Sequence, residues 1–194
     1  LLLFGEKGML YGIIGFGNEK ALDYPKFLFC GSFNPMHEGH VSIVDYIYDK
    51  YGFPVDFEIS HQNVEKDPIS VCEMRRRYDQ MKTKYKPSFG RLYMTEDARY
   101  LEKARLFPEV TFVCGFDTIK ALCDGGYYQT EDFDEVVNEF DDLGIKWIAF
   151  PRQKADGTIS TAADFKDFPP NLLKNITIVE DFPAINIASR EIRK

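Results

Sequence analysis

Two of the three histidines in this 194-residue chain, His37 and His40, stand three residues apart in the stretch GSFNPMHEGH at 31–40. On the first turn of a helix that spacing puts both imidazoles on one face. Gly31 and Ser32 permit a tight turn in which backbone can approach a phosphate, and Pro35 stiffens it. Gly39 leaves room for a ligand or a neighbouring backbone. A helix N-terminus is itself an anion site, because its first N–H groups lack intrahelical partners and carry partial positive charge. The chemistry that fits is the holding of a polyphosphate whose charge shifts during reaction. Three other readings use the same residues. H-x-x-H suits zinc, but His61 and the scattered thiols offer no good third ligand. A covalent triad lacks a Ser or Cys in a nucleophile elbow. The plainest reading is a capped helix carrying two surface histidines.

These residues need elements to place them. The run 26–33 reads as a buried strand ending in a glycine turn, and 39–52 has Val41, Val44, Ile47 and Tyr48 at helical spacing. Strands are expected at 54–60, 91–95, 109–115, 145–152 and 175–181. Helices are expected at 70–85, 96–107, 116–125 and 131–144, and a helix start at 188–194. Ser70 and Glu73 form a capping box. The polar stretch 152–171, with paired prolines, reads as a long loop. Strands alternating with helices imply a doubly wound, mainly parallel α/β sheet with helices on both faces. Ligands bind such sheets at the carboxyl ends of strands, at the switch in strand order, and the turns at Cys30–Gly31 and Cys114–Gly115 both belong on that edge.

GSFNPMHEGH resembles the signature of the nucleotidyltransferase superfamily, whose first strand ends in G-x-F-[DN]-P-x-H-x-G-H. A second signature of that superfamily, of the form I-S-S-T-x-I-R, is similar to IASREIR at 187–193, and FVCGFDT at 112–118 resembles its strand-end G-x-D segment. Together these cover most of 26–194, and the nearest likeness is to nicotinamide or nicotinate mononucleotide adenylyltransferases. The resemblance implies a Rossmann-like fold. It implies direct transfer of an adenylyl group from ATP to a phosphate-bearing acceptor, with release of pyrophosphate and with Mg2+ accompanying the ATP. Carried over by position, Gly31, Ser32, Phe33 and Gly39 would meet the nucleotide. His37 and His40 would hold phosphates in the transition state. Gly115 and Asp117 would hold the adenosine ribose region, and Ser189 and Arg193 the β- and γ-phosphates. Lys66 and Arg77 would bind substrate. Transfer to phosphopantetheine, a CTP-dependent transfer, and a nucleotide-binding protein with little turnover are the rivals. The chain departs from the family at Ala188 and Arg190, where Ser and Thr are usual, and it has no Ser-Tyr-Thr segment before the G-x-D strand. Tyr127 and Tyr128 offer rings that could stack on a pyridine, or could simply pack.

Bulk composition bounds these readings. With 44% hydrophobic and 28% charged residues the chain can build a real core. Its net charge of −7 argues against non-specific binding to nucleic acid or an anionic membrane. The four cysteines include no C-x-x-C pair, which points to reduced thiols in a cytoplasmic protein. The first residue is Leu, so residues 1–25 read as an N-terminal extension or the tail of an upstream domain, before a nucleotidyltransferase domain at 26–194. A homo-oligomer is left open.

Overall fold

The structure, a computed structural model, describes residues 10–17, 24–62, 68–96, 99–123, 128, 132–151, 157–165 and 168–183. Seven strands form one sheet: β1 (Leu10–Gly15), β2 (Phe27–Cys30), β3 (Val55–Ser60), β4 (Phe89–Thr95), β5 (Thr111–Gly115), β6 (Lys146–Phe150) and β7 (Ile176–Ile178). The α-helices among the described residues are α1 (Glu38–Tyr51), α2 (Val71–Lys82), α3 (Tyr100–Leu106), α4 (Phe116–Cys123), α5 (Phe133–Asp142) and α6 (Pro170–Leu173). The spatial order is β1-β4-β3-β2-β5-β6-β7. All pairs are parallel except β1 with β4. This is the expected Rossmann-like, doubly wound architecture. Residues 10–15, which precede the expected domain, add an antiparallel edge strand to it. None of the described helices is long and apolar enough to cross a membrane.

The order reverses at β2. The chain steps outward from β2 to β3 and β4, then crosses back to place β5 on the other side of β2. The carboxyl ends of β2 and β5 therefore flank the crevice where such sheets take their ligands. Phe29 pairs with Val113 in the ladder, and two residues further on each strand stand Gly31 and Gly115.

Strand periodicity explains the two core layers. Phe27 and Phe29 of β2, with Val55, Phe57 and Ile59 of β3, pack against Val44 and Ile47 of α1 and Met74 and Met81 of α2. On the other face Leu28 and Phe112 pack with Leu101, Ile119, Val136, Phe140 and Trp147. Alternation along β3 also buries Asp56 and Glu58. Lys103 of α3 neutralises Glu58 at 2.8 Å, and Ser60 and Thr95 donate hydroxyl hydrogen bonds to the same carboxylate at 2.8 and 2.5 Å. Gly90 lies inside β4, two residues into a strand expected to begin later. A Cβ there would collide with the Asp56 carboxylate, so the glycine marks a close approach and not a turn.

The stretch 152–171 is not wholly a loop. It holds a 3-10 turn at Ala162–Phe165 and the start of α6. Phe165 anchors the turn by burial, and Pro170 sits at the first position of α6, where its missing N–H costs nothing.

Candidate functional site

The turn after β2 is held from several sides. The Gly31 N–H donates to the Glu58 carbonyl at 3.0 Å, extending the β2–β3 ladder to the edge. Phe33 has φ 41°, left-handed backbone that a bulky residue adopts only when its surroundings impose it. Its ring is buried edge-on against Phe29, His40 and Phe57 at centroid distances of 5.4, 5.2 and 5.4 Å. A Cβ on Gly31 would meet the tip of that ring at 3.1 Å, so glycine is there for close packing.

His37 is the N-cap of α1 and is 8% exposed; His40 occupies the first turn and is largely buried. Their rings lie 3.7 Å apart with planes inclined 31°. The His37 backbone N–H donates to His40 Nδ1 at 3.2 Å. That bond requires an unprotonated Nδ1 and places the imidazole proton on Nε2. Burial, reinforced by the neighbouring His37, pushes the His40 pKa down to about 3. His40 is thus a neutral donor, aimed by a backbone bond, at the N-terminus of a 14-residue helix. Glu38 in the same turn would oppose an anion, but Lys84 pairs with it at 2.5 Å. Gly39 is buried in the same turn.

Helix α2 supplies the second wall. Ser70 caps it by accepting from the Glu73 N–H at 3.1 Å, as the capping box predicts. Arg75 points away to Asp79. Arg77 turns inward and is 7% exposed; its Nη1 donates to the Ser32 carbonyl at 2.9 Å and its Nε to Glu73 at 2.9 Å. Arg76 donates to Asn34 Oδ1 at 2.8 Å. The sequence singles out Arg77 alone; the contact of Arg76 with the turn, and the role of Glu73 in aiming both guanidinium groups, are found only in the structure. Three arginines following an acid by two to four residues were the available signal.

Across the crevice, Gly115 ends β5 with nothing within 4 Å of where a Cβ would stand. Its backbone has no need of glycine, so the position is open ground beside β2. Asp117 lies exposed in the first turn of α4. It lines a cleft of about 210 Å3 with Phe116, Lys120, Ser160, Asp164 and Phe165. Tyr128 is core: it is 3% exposed and its hydroxyl accepts the Leu101 N–H at 3.1 Å. Trp147 is likewise buried, against Phe112, Tyr100 and Phe140. Lys66, Tyr127, Ser189 and Arg193 lie outside the described residues. His61 Nδ1 contacts the Ile69 carbonyl, and the His61 carbonyl accepts the Ile69 N–H at 2.9 Å.

The arrangement brings His37, His40, Gly31, Ser32, Phe33 and Gly39 together at the switch in strand order, with Gly115 beside them. A helix terminus with the His40 imidazole donor beside it is an arrangement able to bind an anion. Among the described residues no cluster of three or more His, Cys, Asp or Glu is placed to hold a metal ion.

No protein-family profile matches the chain. Among curated proteins it is 24% identical, over 184 aligned residues, to a probable nicotinate-nucleotide adenylyltransferase from Fervidobacterium nodosum, covering 86% of this chain and 78% of that one. Among solved structures it is similar to Plasmodium falciparum nicotinic acid mononucleotide adenylyltransferase complexed with NaAD. That match has a TM-score of 0.55 and 16% identity, and covers 86% of this chain and 81% of the other. The chain therefore resembles nicotinate mononucleotide adenylyltransferases, and it shares their Rossmann-like fold.

Proposed function

We propose that this protein is an adenylyltransferase that joins the adenylyl group of ATP to nicotinate mononucleotide. The observation that carries the reading is the buried His37–His40 pair at the N-terminus of α1, set where the strand order reverses. The resemblance to nicotinate mononucleotide adenylyltransferases supports nicotinate mononucleotide as the acceptor.

In this reading a phosphate oxygen of the mononucleotide attacks the α-phosphorus of ATP. The bond from that phosphorus to the α–β bridging oxygen breaks, and its electron pair leaves with pyrophosphate. No bond to the protein forms, so the chain contributes position and charge stabilisation. His40 donates its Nε2 hydrogen to the phosphate oxygens as negative charge moves onto them. A neutral imidazole serves here because its hydrogen bond does not wait on a protonation step. The N–H groups at the start of α1 add their dipole. Gly31, Ser32 and Phe33 give backbone to the nucleotide, and Gly115 and Asp117 face its ribose. Lys66, Ser189 and Arg193 supply the remaining donors for phosphate, Arg193 in the bidentate fashion that guanidinium permits. Mg2+ would arrive as part of the MgATP substrate and would offset the charge of its phosphates.

The test is to incubate the protein with MgATP and either nicotinate or nicotinamide mononucleotide, following pyrophosphate and product mass. The reading predicts acceptor-dependent pyrophosphate and the dinucleotide of the nicotinate acceptor. CTP or a phosphopantetheine acceptor outperforming this pair would replace it.

A further inference from the structure

We infer that Glu73, acting through Arg76 and Arg77, is a positioning residue that sets the backbone of the turn at 32–34 and thereby the histidine pair. The inference rests on the proposed transferase reading for its kinetic consequences but not for its structural ones.

The turn contains a conformation that needs holding. A left-handed bulky residue such as Phe33 is strained and persists only where its neighbours over-determine it. From inside, the aromatic cage fixes the ring. From outside, α2 grips the residues on either side: Arg77 takes the Ser32 carbonyl and Arg76 the Asn34 side chain. Both guanidinium groups are aimed by one carboxylate. Glu73 Oε1 accepts from Arg77 Nε at 2.9 Å and from Arg76 Nη2 at 2.7 Å, while Oε2 accepts from Arg76 Nε at 2.7 Å. These hydrogen bonds, Arg76's foremost, hold the Glu73 carboxyl down to about 2, so the fork stays charged at any working pH.

The same geometry reassigns Arg77. As a substrate ligand it would need its guanidinium directed at phosphate. Instead it spans from Glu73 to the Ser32 carbonyl while buried. Lysine, a point charge, cannot reproduce that two-ended span. The half-exposed Glu73–Arg76 pair contributes little to global stability. Its value is where it puts the turn, since a shift of about 1 Å in a positioned group can cost as much as 100-fold in rate.

Three full-length variants test this: Glu73→Gln, Arg77→Lys and Arg77→Met. The readouts are amide hydrogen exchange at 31–36, melting temperature, and separate kcat and KM values for ATP and nicotinate mononucleotide. Glu73→Gln is expected to speed exchange at 31–36 and to lower kcat by about 10- to 100-fold. Each KM should stay within about threefold, and the melting temperature within about 3 °C. Arg77→Lys should behave like Arg77→Met and not like wild type. Unchanged exchange at 31–36 in Glu73→Gln would overturn the inference. So would Arg77 variants that raise only the acceptor KM while the turn stays protected, because Arg77 would then touch substrate. Were the wild-type protein to show no turnover, the transferase reading would fall, but the exchange measurement would still decide this one.

Discussion

The backbone N–H of His37 donates to Nδ1 of His40 across 3.2 Å, and the two rings lie 3.7 Å apart. One residue of the pair thus fixes the tautomer of the other, leaving His40 Nε2 as a hydrogen donor in a largely buried place. A cation at His40 would have to break that bond, which agrees with a pKa pushed down to about 3 by burial and by His37.

Acid lability follows from this pair. The His40 pKa is depressed from 6.5 to about 3, so above pH 6.5 neither folded nor unfolded protein protonates it. As pH falls below 6.5 the unfolded chain binds a proton that the folded one refuses, and stability is lost down to about pH 3. The whole shift is worth about 5 kcal/mol at most. Urea unfolding across this range should show the slope, and His40→Asn should flatten it. In the same window the rate should carry no limb from His40 protonation.

Asp56 behaves in the opposite sense. It is 2% exposed, and burial raises its pKa to about 7 against the Arg91 N–H bond, which lowers it. The folded state therefore keeps a proton that the unfolded chain releases near pH 3.8. This contribution is complete below that pH and is lost as pH rises to about 7. Asp56→Asn keeps an acceptor for the Arg91 N–H without the charge. It should raise stability at pH 8 by on the order of 1–3 kcal/mol relative to its effect at pH 5; equal effects at the two pH values would contradict the assignment.

The Glu58–Lys103 pair is almost fully enclosed. Lys103→Met leaves a buried carboxylate with only neutral donors and should destabilise the fold by about 3–5 kcal/mol in urea titration. Adding Glu58→Gln should return most of that loss, since the charge needing a partner is then gone. Independent, additive losses would mean the two residues do not act as a pair.

Gly31 and Gly115 stand side by side yet should respond differently to alanine. At 31 the new methyl meets the buried Phe33 ring at 3.1 Å, so stability and turnover should both fall. At 115 nothing stands within 4 Å, so stability should stay within about 0.5 kcal/mol while the ATP KM rises. Thermal melts and ATP titration together separate the two.

The architecture was legible because each strand and helix carries its own period. Val55, Phe57 and Ile59 alternate, and the apolar residues of 39–52 recur at helical spacing. The histidine pair was legible because its spacing within a glycine-bounded turn has few uses. What stayed hidden was tertiary. Asp56 and Glu58 occupy the polar phase of an alternating strand, which ordinarily faces water, and only tertiary partners, Gly90 and Arg91 for Asp56 and Lys103 for Glu58, show them to be interior. Arg76 and Arg77 sit in a run of three arginines, and nothing local distinguishes the ones that reach the turn at 32–34 from Arg75, which does not. The strand expected at 91–95 begins at Phe89 and takes in Gly90, whose close partner, Asp56, is 34 residues away in sequence.

The most direct test of the central claim is product formation by wild type and His40→Ala under identical conditions. MgATP and nicotinate mononucleotide are supplied, and pyrophosphate and dinucleotide are quantified together. The account predicts equimolar pyrophosphate and dinucleotide from the wild type, and a loss of about 100-fold or more in kcat for His40→Ala, with its fold intact by circular dichroism. Wild-type protein that is stabilised by ATP yet makes no dinucleotide, or a His40→Ala variant that turns over at the wild-type rate, would contradict it.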